Sequence, residues 1–169
     1  WRRGEWITKE RSGYGYDAGL SSYKNTLAIE NDPPGGNLDF VLLAQKHGAQ
    51  PAYVAAGDPT LIAYSDRAAF TTVTGDATNL YNADPRFTSA DVLEARRTVF
   101  WQKPDTLFVF DRARTGKGGR FKRFWLNFTA QPQIVGARAR VTPPGGQAVA
   151  LDSLLPAGAA PLVDTAKPL

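Results

Sequence analysis

The sequence predicts an all-β fold, a two-layer antiparallel β-sandwich, and three observations lead to this prediction. Runs rich in β-branched and aromatic residues are short and recur at close intervals along the chain. The 16 glycines and 12 prolines are spread between these runs rather than pooled, which suits many strands joined by turns. With 43% hydrophobic residues in a chain of 169, one sizeable core can be buried, so we predict one domain.

The predicted strands follow in chain order, each bounded by turn residues. Turn sequences such as Asn31–Gly36 and Pro143–Gly146 separate them, because proline and glycine interrupt a ladder. Ser89–Arg97 comes nearest to a helical pattern, yet it leads straight into a strand. The strands are Glu5–Glu10, which alternates, Thr26–Glu30 and Asp39–Lys46, which we expect to be buried, then Ala52–Ala56, Leu61–Asp66, Ala69–Gly75, Arg97–Trp101, Thr106–Asp111, Phe121–Phe128 and, more weakly, Ala137–Val141 and Ala148–Leu151.

The clearest local prediction is a hairpin within the segment from Asp91 to Phe128. Arg97–Trp101 and Thr106–Asp111 are joined by Gln102–Asp105, where proline presets a turn and cannot continue the ladder. The glycine-rich link Thr115–Arg120 then returns the chain into a third strand, Phe121–Phe128. We predict three antiparallel strands here, with one apolar face that a second layer covers.

Alternation assigns the side chains of the third strand to two faces. Phe124, Leu126 and Phe128 fall on one face, and Arg123, Trp125 and Asn127 fall on the other. We therefore predict a core between the sheets or beneath a covering loop, made of Phe108, Phe110, Phe124, Leu126 and Phe128.

Composition sets further limits. The chain begins at Trp1 and contains no methionine, so we expect a mature product, a processed piece or a portion of a longer polypeptide. The absence of cysteine excludes disulfides, thiol catalysis and cysteine-based zinc sites. No apolar run approaches the roughly 18 residues of a membrane span. We expect residues 1–136 to form the sandwich body, and residues 137–169 to continue the same domain as edge strands and a Pro/Ala-rich tail.

The charge pattern allows two interpretations. The net charge is +4, and basic residues cluster near the start of the chain, at Arg96–Arg97, and between Arg112 and Arg123. They form either a solvated rim that protects strand edges or a groove for a polyanion. No recognition helix, RNA-binding aromatic motif or zinc finger is present, so nucleic acid is disfavoured. An acidic polysaccharide fits better, because guanidinium groups pair with carboxylates and aromatic faces stack on sugar rings.

Several motifs together carry a family resemblance. They are Gly13-Tyr14-Gly15-Tyr16, Tyr23-Lys24-Asn25-Thr26-Leu27, Ala63-Tyr64-Ser65-Asp66, Arg96-Arg97-Thr98-Val99-Phe100-Trp101 with Lys103-Pro104-Asp105 and Phe108-Val109-Phe110-Asp111-Arg112, and Phe124-Trp125-Leu126. Across Trp1–Gly136 the chain resembles the C-terminal β-sandwich of heparinase II/III-like polysaccharide lyases. The resemblance implies that a helical toroid domain, absent from this chain, normally precedes the sandwich. It also implies substrate in the cleft between the two and a secreted, periplasmic or extracellular location.

The resemblance also implies a chemistry. These lyases break the polymer by β-elimination, which needs a base, a group that neutralises the uronate carboxylate, and an acid for the leaving oxygen. Most of those groups belong to the toroid, while the sandwich lends a histidine just before an Asn-Thr pair. Here Lys24 holds that position, either as a base after burial or as a cation for the carboxylate, with Tyr23 and Asn25 as neighbouring catalytic candidates. Asn127 replaces a second histidine, often seen near the Trp-Leu strand.

The remaining site predictions concern substrate and metal. Tyr14, Tyr16 and Tyr23 either contact sugar or close one end of the sandwich as half-buried aromatics. Asp111 and Arg112 are expected to be a structural pair. Some relatives hold zinc through several histidines, but His47 is the only histidine here, so we expect no metal and no cofactor. The predicted substrate-binding residues are Tyr14, Tyr16, Arg96, Arg97, Arg123 and Trp125.

Two classes of function stay open at this point. The chain is either the sandwich domain of an acidic-polysaccharide lyase, inactive in isolation, or a non-catalytic extracellular sandwich that binds carbohydrate or assembles with copies of itself. The sequence upstream of Trp1 would discriminate between them, because helical repeats there favour the lyase.

Overall fold

The computed structural model describes residues 1–10, 20–31, 48, 58–82 and 91–164. Strands dominate this part of the chain and all of their pairings are antiparallel, which confirms the all-β prediction. A 3-10 turn, Ser21–Tyr23, and a short helix α1, Thr78–Tyr81, accompany the strands. The strands are β1 (Leu27–Ile29), β2 (Thr60–Asp66), β3 (Phe70–Asp76), β4 (Val92–Gln102), β5 (Thr106–Thr115), β6 (Lys122–Phe124), β7 (Gln133–Val135), β8 (Arg138–Val141) and β9 (Val149–Asp152).

The main sheet is a four-stranded meander in the order β2-β3-β4-β5. Its last two strands are the predicted hairpin, with Gln102 opposite Thr106 and Arg97 opposite Asp111. The predicted strands at 61–66 and 69–75 are confirmed as β2 and β3 within a residue or so at each end. In the described part of Ser89–Arg97 the chain forms no helix, and β4 begins at Val92.

The third predicted strand does not join the hairpin. Only Lys122–Phe124 of the predicted Phe121–Phe128 is a strand, and it pairs with β1 in a separate two-stranded sheet. The link before it explains the difference. Gly116 N–H donates to Asp91 O, and Lys117 N–H donates to the Asp91 carboxylate at 2.9 Å. These bonds hold the link beside the start of β4, so the chain cannot turn straight back along β5.

A third sheet holds β7, β8 and β9 in that order. It confirms the two weaker strands predicted near 137–141 and 148–151 and adds β7, which was not predicted. The prediction of a strand at Glu5–Glu10 is wrong, since this segment forms only isolated bridges, Arg2 with Glu5 and Thr8 with Phe128. The predicted strands Asp39–Lys46 and Ala52–Ala56 lie outside the described residues.

The buried core lies between β1, the start of β4 and α1. It contains Leu27, Ile29, Tyr81, Val92 and Ala95. The predicted core was wrong in its largest members. Phe108, Phe110 and Phe124 are 46%, 47% and 41% exposed, and Leu126 and Phe128 are half-buried. The three-residue strand β6 is too short to cover the ten-residue strand β5, and among the described residues the buried side chains of the main sheet, Val92 and Ala95, are those that pack against β1.

Candidate functional site

Two segments distant in sequence meet just beyond the end of the β1–β6 pair. Trp125 N–H donates to Thr26 O at 2.8 Å, which continues the register set by Leu27 and Phe124. Beyond Trp125, the hydrogen bonds between the two segments are made through the side-chain amides of Asn25 and Asn127. Asn127 N–H donates to Asn25 Oδ1 at 2.7 Å, and Asn127 Nδ2 donates to Lys24 O at 3.1 Å. We call residues 24–27 and 124–127 together the seam.

The three predicted catalytic residues lie in consecutive positions but in different surroundings. Tyr23 is buried against Leu20 in the 3-10 turn. Asn25 N–H donates to Glu10 Oε1 at 2.8 Å, and its side chain supports the seam. The side chain of Lys24 is 34% exposed, and its ammonium nitrogen lies 4.0 Å from Glu10 Oε2. Of the three, Lys24 is the one whose side chain reaches solvent as a cation.

Arg97 joins the main sheet to the seam. Its Nε and Nη2 donate to the two carboxylate oxygens of Asp111 at 2.7 and 2.8 Å, and Nη1 donates to Asn25 O at 3.3 Å. The guanidinium carbon also lies 5.0 Å from the centre of the Phe124 ring. The predicted pairing of Asp111 with Arg112 is wrong, because consecutive strand residues point to opposite faces. Arg112 instead approaches Glu94 at 3.5 Å.

Arg96 lies on the face of β4 opposite to Arg97. Its Nε donates to Asp76 Oδ2 at 2.8 Å, and this hydrogen bond raises the pKa of the Arg96 guanidinium. The pKa of Asp76 is lowered below its usual value, first by the hydrogen bond with Thr78 and then by the bond from Arg96. Arg96 is thus an anchor for the end of β3 as well as a predicted substrate contact.

The predicted basic groove is not one surface. Arg123 lies over the ring of Phe121 at 4.4 Å and points away from the face where Phe124 meets Arg97. Arg120 is mostly buried, with its Nε 3.0 Å from Asp91 Oδ2 and its Nη1 3.7 Å from Glu30 Oε1. The cluster is therefore divided between two faces of β4 and the outer side of β6. Tyr14, Tyr16 and His47 lie outside the described residues.

A cavity of about 190 Å³ lies where the seam meets the main sheet. It is smaller than the roughly 300–1,000 Å³ of typical ligand pockets, so it could hold a small group rather than a polymer. Arg96 and Arg97, which line the cavity, were predicted as substrate contacts, whereas Tyr81, whose hydroxyl donates to Leu27 O, was not predicted for any site. No sequence signal marked it, because α1 is a single turn that was not predicted. The walls of the cavity include Thr26, Leu27, Asp76, Tyr81, Arg96 and Arg97.

Trp125, the last of the predicted substrate-binding residues, is half-buried. Its backbone is fixed by the hydrogen bond from its N–H to Thr26 O.

Within the described ranges, no group of three or more histidine, cysteine or acidic side chains is placed to hold a metal ion. In the same part of the chain, no helix has the length and apolar character needed to cross a membrane. Comparison of the chain with protein-family models, with curated proteins and with solved structures gives no match.

Proposed function

We propose that this chain is the β-sandwich domain of a heparinase II/III-like protein, that it binds an acidic polysaccharide at the seam, and that it does not cleave the polymer by itself. The observation that carries the proposal is the hydrogen bond from Asn127 Nδ2 to Lys24 O. In the lyases that the sequence resembles, histidines occupy both of these positions. Two residues more than a hundred positions apart in the sequence are in direct contact, as members of one site would be.

The packing of β1 supports the finer fold proposal. Leu27 and Ile29 of β1 contact Val92 and Ala95 of β4, so the β1–β6 pair lies against one end of the main sheet. We take this pair as part of the second layer of a two-layer sandwich. The seam then lies at the end of that second layer, beside the cavity.

The seam offers suitable chemistry for a uronate. Lys24 supplies a partly exposed ammonium and Trp125 supplies an aromatic face, while the neighbouring Arg123 of β6 adds an exposed guanidinium beside the seam. Both cations can pair with the carboxylate of a sugar residue, and an indole face can stack on a sugar ring. Polymers of this kind are extracellular, which is consistent with a secreted, periplasmic or extracellular domain.

Cleavage of the polymer requires more catalytic groups than the seam contains. Elimination needs a base, a neutralising group and an acid held around one sugar. Lys24 can serve as one of these, whereas Tyr23 is shielded by burial and Asn25 is engaged by Glu10 and Asn127. We propose that a preceding helical toroid domain supplies the remaining groups in the parent protein.

Calorimetric titration tests the binding proposal. We expect polygalacturonate or alginate to bind more tightly than neutral amylose, and Lys24→Gln to weaken binding of the acidic polymers about tenfold. Arg140→Gln, which removes one exposed charge from the third sheet, is the matched control and should leave binding unchanged. Trp125→Ala should weaken both classes of polymer and leave the salt dependence nearly unchanged. No binding to any acidic polymer at low salt would refute the proposal.

Cleavage is tested separately, by the absorbance of the unsaturated product. We expect no chromophore from the isolated chain with any uronate polymer. Its appearance, followed by its loss in Lys24→Ala, would overturn the non-cleaving part of the proposal and establish Lys24 as a catalytic residue. If Lys24→Ala still formed the chromophore, the residues that cleave the polymer would lie outside the seam.

A further inference from the structure

A carboxylate of the chain itself lies against the seam. Glu10 Oε1 accepts a hydrogen bond from Asn25 N–H at 2.8 Å, and Glu10 Oε2 lies 4.0 Å from Lys24 Nζ. The two donors belong to consecutive residues, and each faces a different oxygen of the one carboxylate. A cation and a backbone N–H placed in this way suit a carboxylate, because an ionised acceptor binds such donors more strongly than a neutral one does. We call Lys24 Nζ and Asn25 N–H the donor pair.

The backbone beside Glu10 is anchored, whereas the Glu10 side chain is accessible. Lys9 N–H donates to Asn127 O at 3.0 Å, and this bond holds the residue before Glu10 against the seam. The side chain of Glu10 is 46% exposed, and its hydrogen bond with Asn25 lies at the surface. Exposed side chains change rotamer within nanoseconds. The carboxylate can therefore leave the donor pair while the backbone stays in place.

The contact between Glu10 and Lys24 is also easily replaced. Its 4.0 Å separation is long for an ion pair, and both side chains are partly exposed, so water weakens the attraction. The pair formed by Arg97 and Asp111 is different, because its two hydrogen bonds measure 2.7 and 2.8 Å. A carboxylate from a ligand can thus take the place of Glu10 at small cost.

Glu10 and a bound uronate cannot occupy the donor pair together. The uronate carboxylate carries the same two acceptor oxygens as Glu10 and the same charge, and two carboxylates that share one site repel each other. Pairing of the uronate with Lys24 therefore requires Glu10 to move away. The apparent affinity for the ligand is then reduced by the fraction of molecules in which Glu10 holds the donor pair.

We propose that Glu10 is an internal competitor, which occupies the donor pair in the ligand-free protein and is displaced by the carboxylate of an acidic sugar. This inference rests on the proposed function and adds two residues to it. Asn25 N–H becomes a second contact for the uronate carboxylate beside Lys24, and Glu10 limits the affinity. The alternative, in which Glu10 positions Lys24 for the ligand, predicts that removing the charge of Glu10 weakens binding.

Calorimetric titration with polygalacturonate tests the displacement. Glu10→Gln keeps the size of the side chain and an acceptor oxygen but removes the charge, so we expect affinity to rise about two- to fivefold. In a Lys24→Gln background the same substitution should give little gain. Asp152→Asn is the matched control, because this carboxylate is 44% exposed, pairs with Arg138 on the third sheet, and changes the net charge equally. Unchanged or weaker binding by Glu10→Gln, or an equal gain in Asp152→Asn, would overturn the proposal.

A second measurement uses acetate in place of the polysaccharide. In Glu10→Ala the donor pair has lost the Glu10 carboxylate, and acetate can replace it. We expect the amide resonance of Asn25 in a proton–nitrogen correlation spectrum to shift saturably with acetate in Glu10→Ala, and to shift much less in the wild type and in Glu10→Ala/Lys24→Gln. Well-dispersed amide resonances elsewhere show that each variant is folded.

The two measurements separate this inference from the proposed function. Saturable acetate binding by Glu10→Ala without any binding of polygalacturonate would support the donor pair and refute the polysaccharide site. Binding of polygalacturonate by the wild type, with no response of Asn25 to acetate in Glu10→Ala, would overturn the inference alone.

Discussion

At the scale of the residue, Arg97 shows how an arginine that looks like a ligand contact can be structural. Its guanidinium binds Asp111 through two nitrogens and reaches Asn25 O with a third. The sequence predicted the hairpin with the link Gln102–Asp105, but the observed link, Lys103–Asp105, is one residue shorter and places Gln102 opposite Thr106 and hence Arg97 opposite Asp111. The contact with Asn25 could not be predicted, since no local pattern relates the seam to β4.

Removing Arg97 should destabilise the domain. In Arg97→Ala the carboxylate of Asp111 stays partly buried without its partner, and we expect unfolding free energy to fall by about 1–3 kcal/mol. The double variant with Asp111→Ala should lose less than the sum of the single losses. Urea unfolding measures both. Arg112→Ala, which removes a more exposed arginine from the neighbouring strand β5, should change stability by about 0.5 kcal/mol or less. A loss as large as that of Arg97→Ala would contradict this assignment.

Asp76 should make stability depend on acid. Its folded pKa is lowered, chiefly by the hydrogen bond with Thr78, below the value of about 3.9 expected when the chain is unfolded. The unfolded chain then binds the proton more readily, so this stabilisation is complete above about pH 4 and is lost as pH falls through the folded pKa. We expect Asp76→Asn to be less stable than wild type at pH 7 and to lose less on acidification. Asp58→Asn, an equal charge change at an exposed site, should keep the wild-type slope.

At the scale of the element, local patterns predicted the hairpin and failed for its neighbours. β4 and β5 are joined by three residues, so alternation and one turn fix their pairing. β1 and β6 pair residues 93–97 positions apart, and no pattern in either segment indicates that the other is its partner. The core prediction was wrong for the same reason, because the pairing of β1 with β6 was not predicted. Without β1 in place, the aromatic residues of β5 look like the inner face, whereas the smaller residues Val92 and Ala95 occupy it.

Truncating one side chain from each core distinguishes the observed core from the predicted one. Ile29→Ala should lower the unfolding free energy by about 2–5 kcal/mol, because Ile29 is fully buried in the cluster of β1 and β4. Phe110→Ala should cost about 1 kcal/mol or less, since nearly half of the ring is exposed. Thermal and urea unfolding measure both values. A larger loss for Phe110→Ala would restore the core that the sequence predicted.

Gly48 should tolerate no side chain. An added Cβ would lie 2.8 Å from Ile29 N and 2.9 Å from the Cβ of Ala28, and the backbone has φ +84°. We expect Gly48→Ala to cost about 2–4 kcal/mol from the steric overlap and the left-handed backbone. Gly118→Ala is the matched control, since an added Cβ there meets no atom within 4 Å. Equal melting temperatures for the two variants would show that β1 does not pack closely at Gly48.

At the scale of the whole molecule, single carboxylates connect segments that share no sheet. Glu5 accepts from Gly145 N–H at 2.5 Å and from Gln147 N–H at 3.0 Å, which ties the start of the chain to the β8–β9 connection. The carboxylate of Asp91 likewise accepts from Lys117 N–H and from Arg120 Nε, which ties the link between β5 and β6 to the start of β4. The sequence could not reveal either role, because an acidic residue that accepts from a distant backbone looks like any solvated charge.

Glu5→Ala should loosen the third sheet alone. Hydrogen bonds to a charged acceptor contribute roughly 1.5–3 kcal/mol, so amide hydrogen exchange in β8 and β9 should accelerate about tenfold or more. The amides of β3 and β4 serve as the internal control and should keep their wild-type rates. Faster exchange in all four strands would mean that Glu5 supports global stability, and no change in any of them would mean that the bond contributes nothing.

The separation between β1 and β6 also sets an order of events during folding. The meander β2-β3-β4-β5 forms through successive hairpins whose links are 3, 15 and 3 residues long, whereas β1 and β6 must bring together residues 93–97 positions apart. Closing that loop costs more chain entropy and is repaid only after the meander offers a surface for β1. We therefore expect substitutions in the hairpin to slow folding and substitutions in the seam to speed unfolding. A nascent chain would assemble the seam last, after residue 127 has been synthesised.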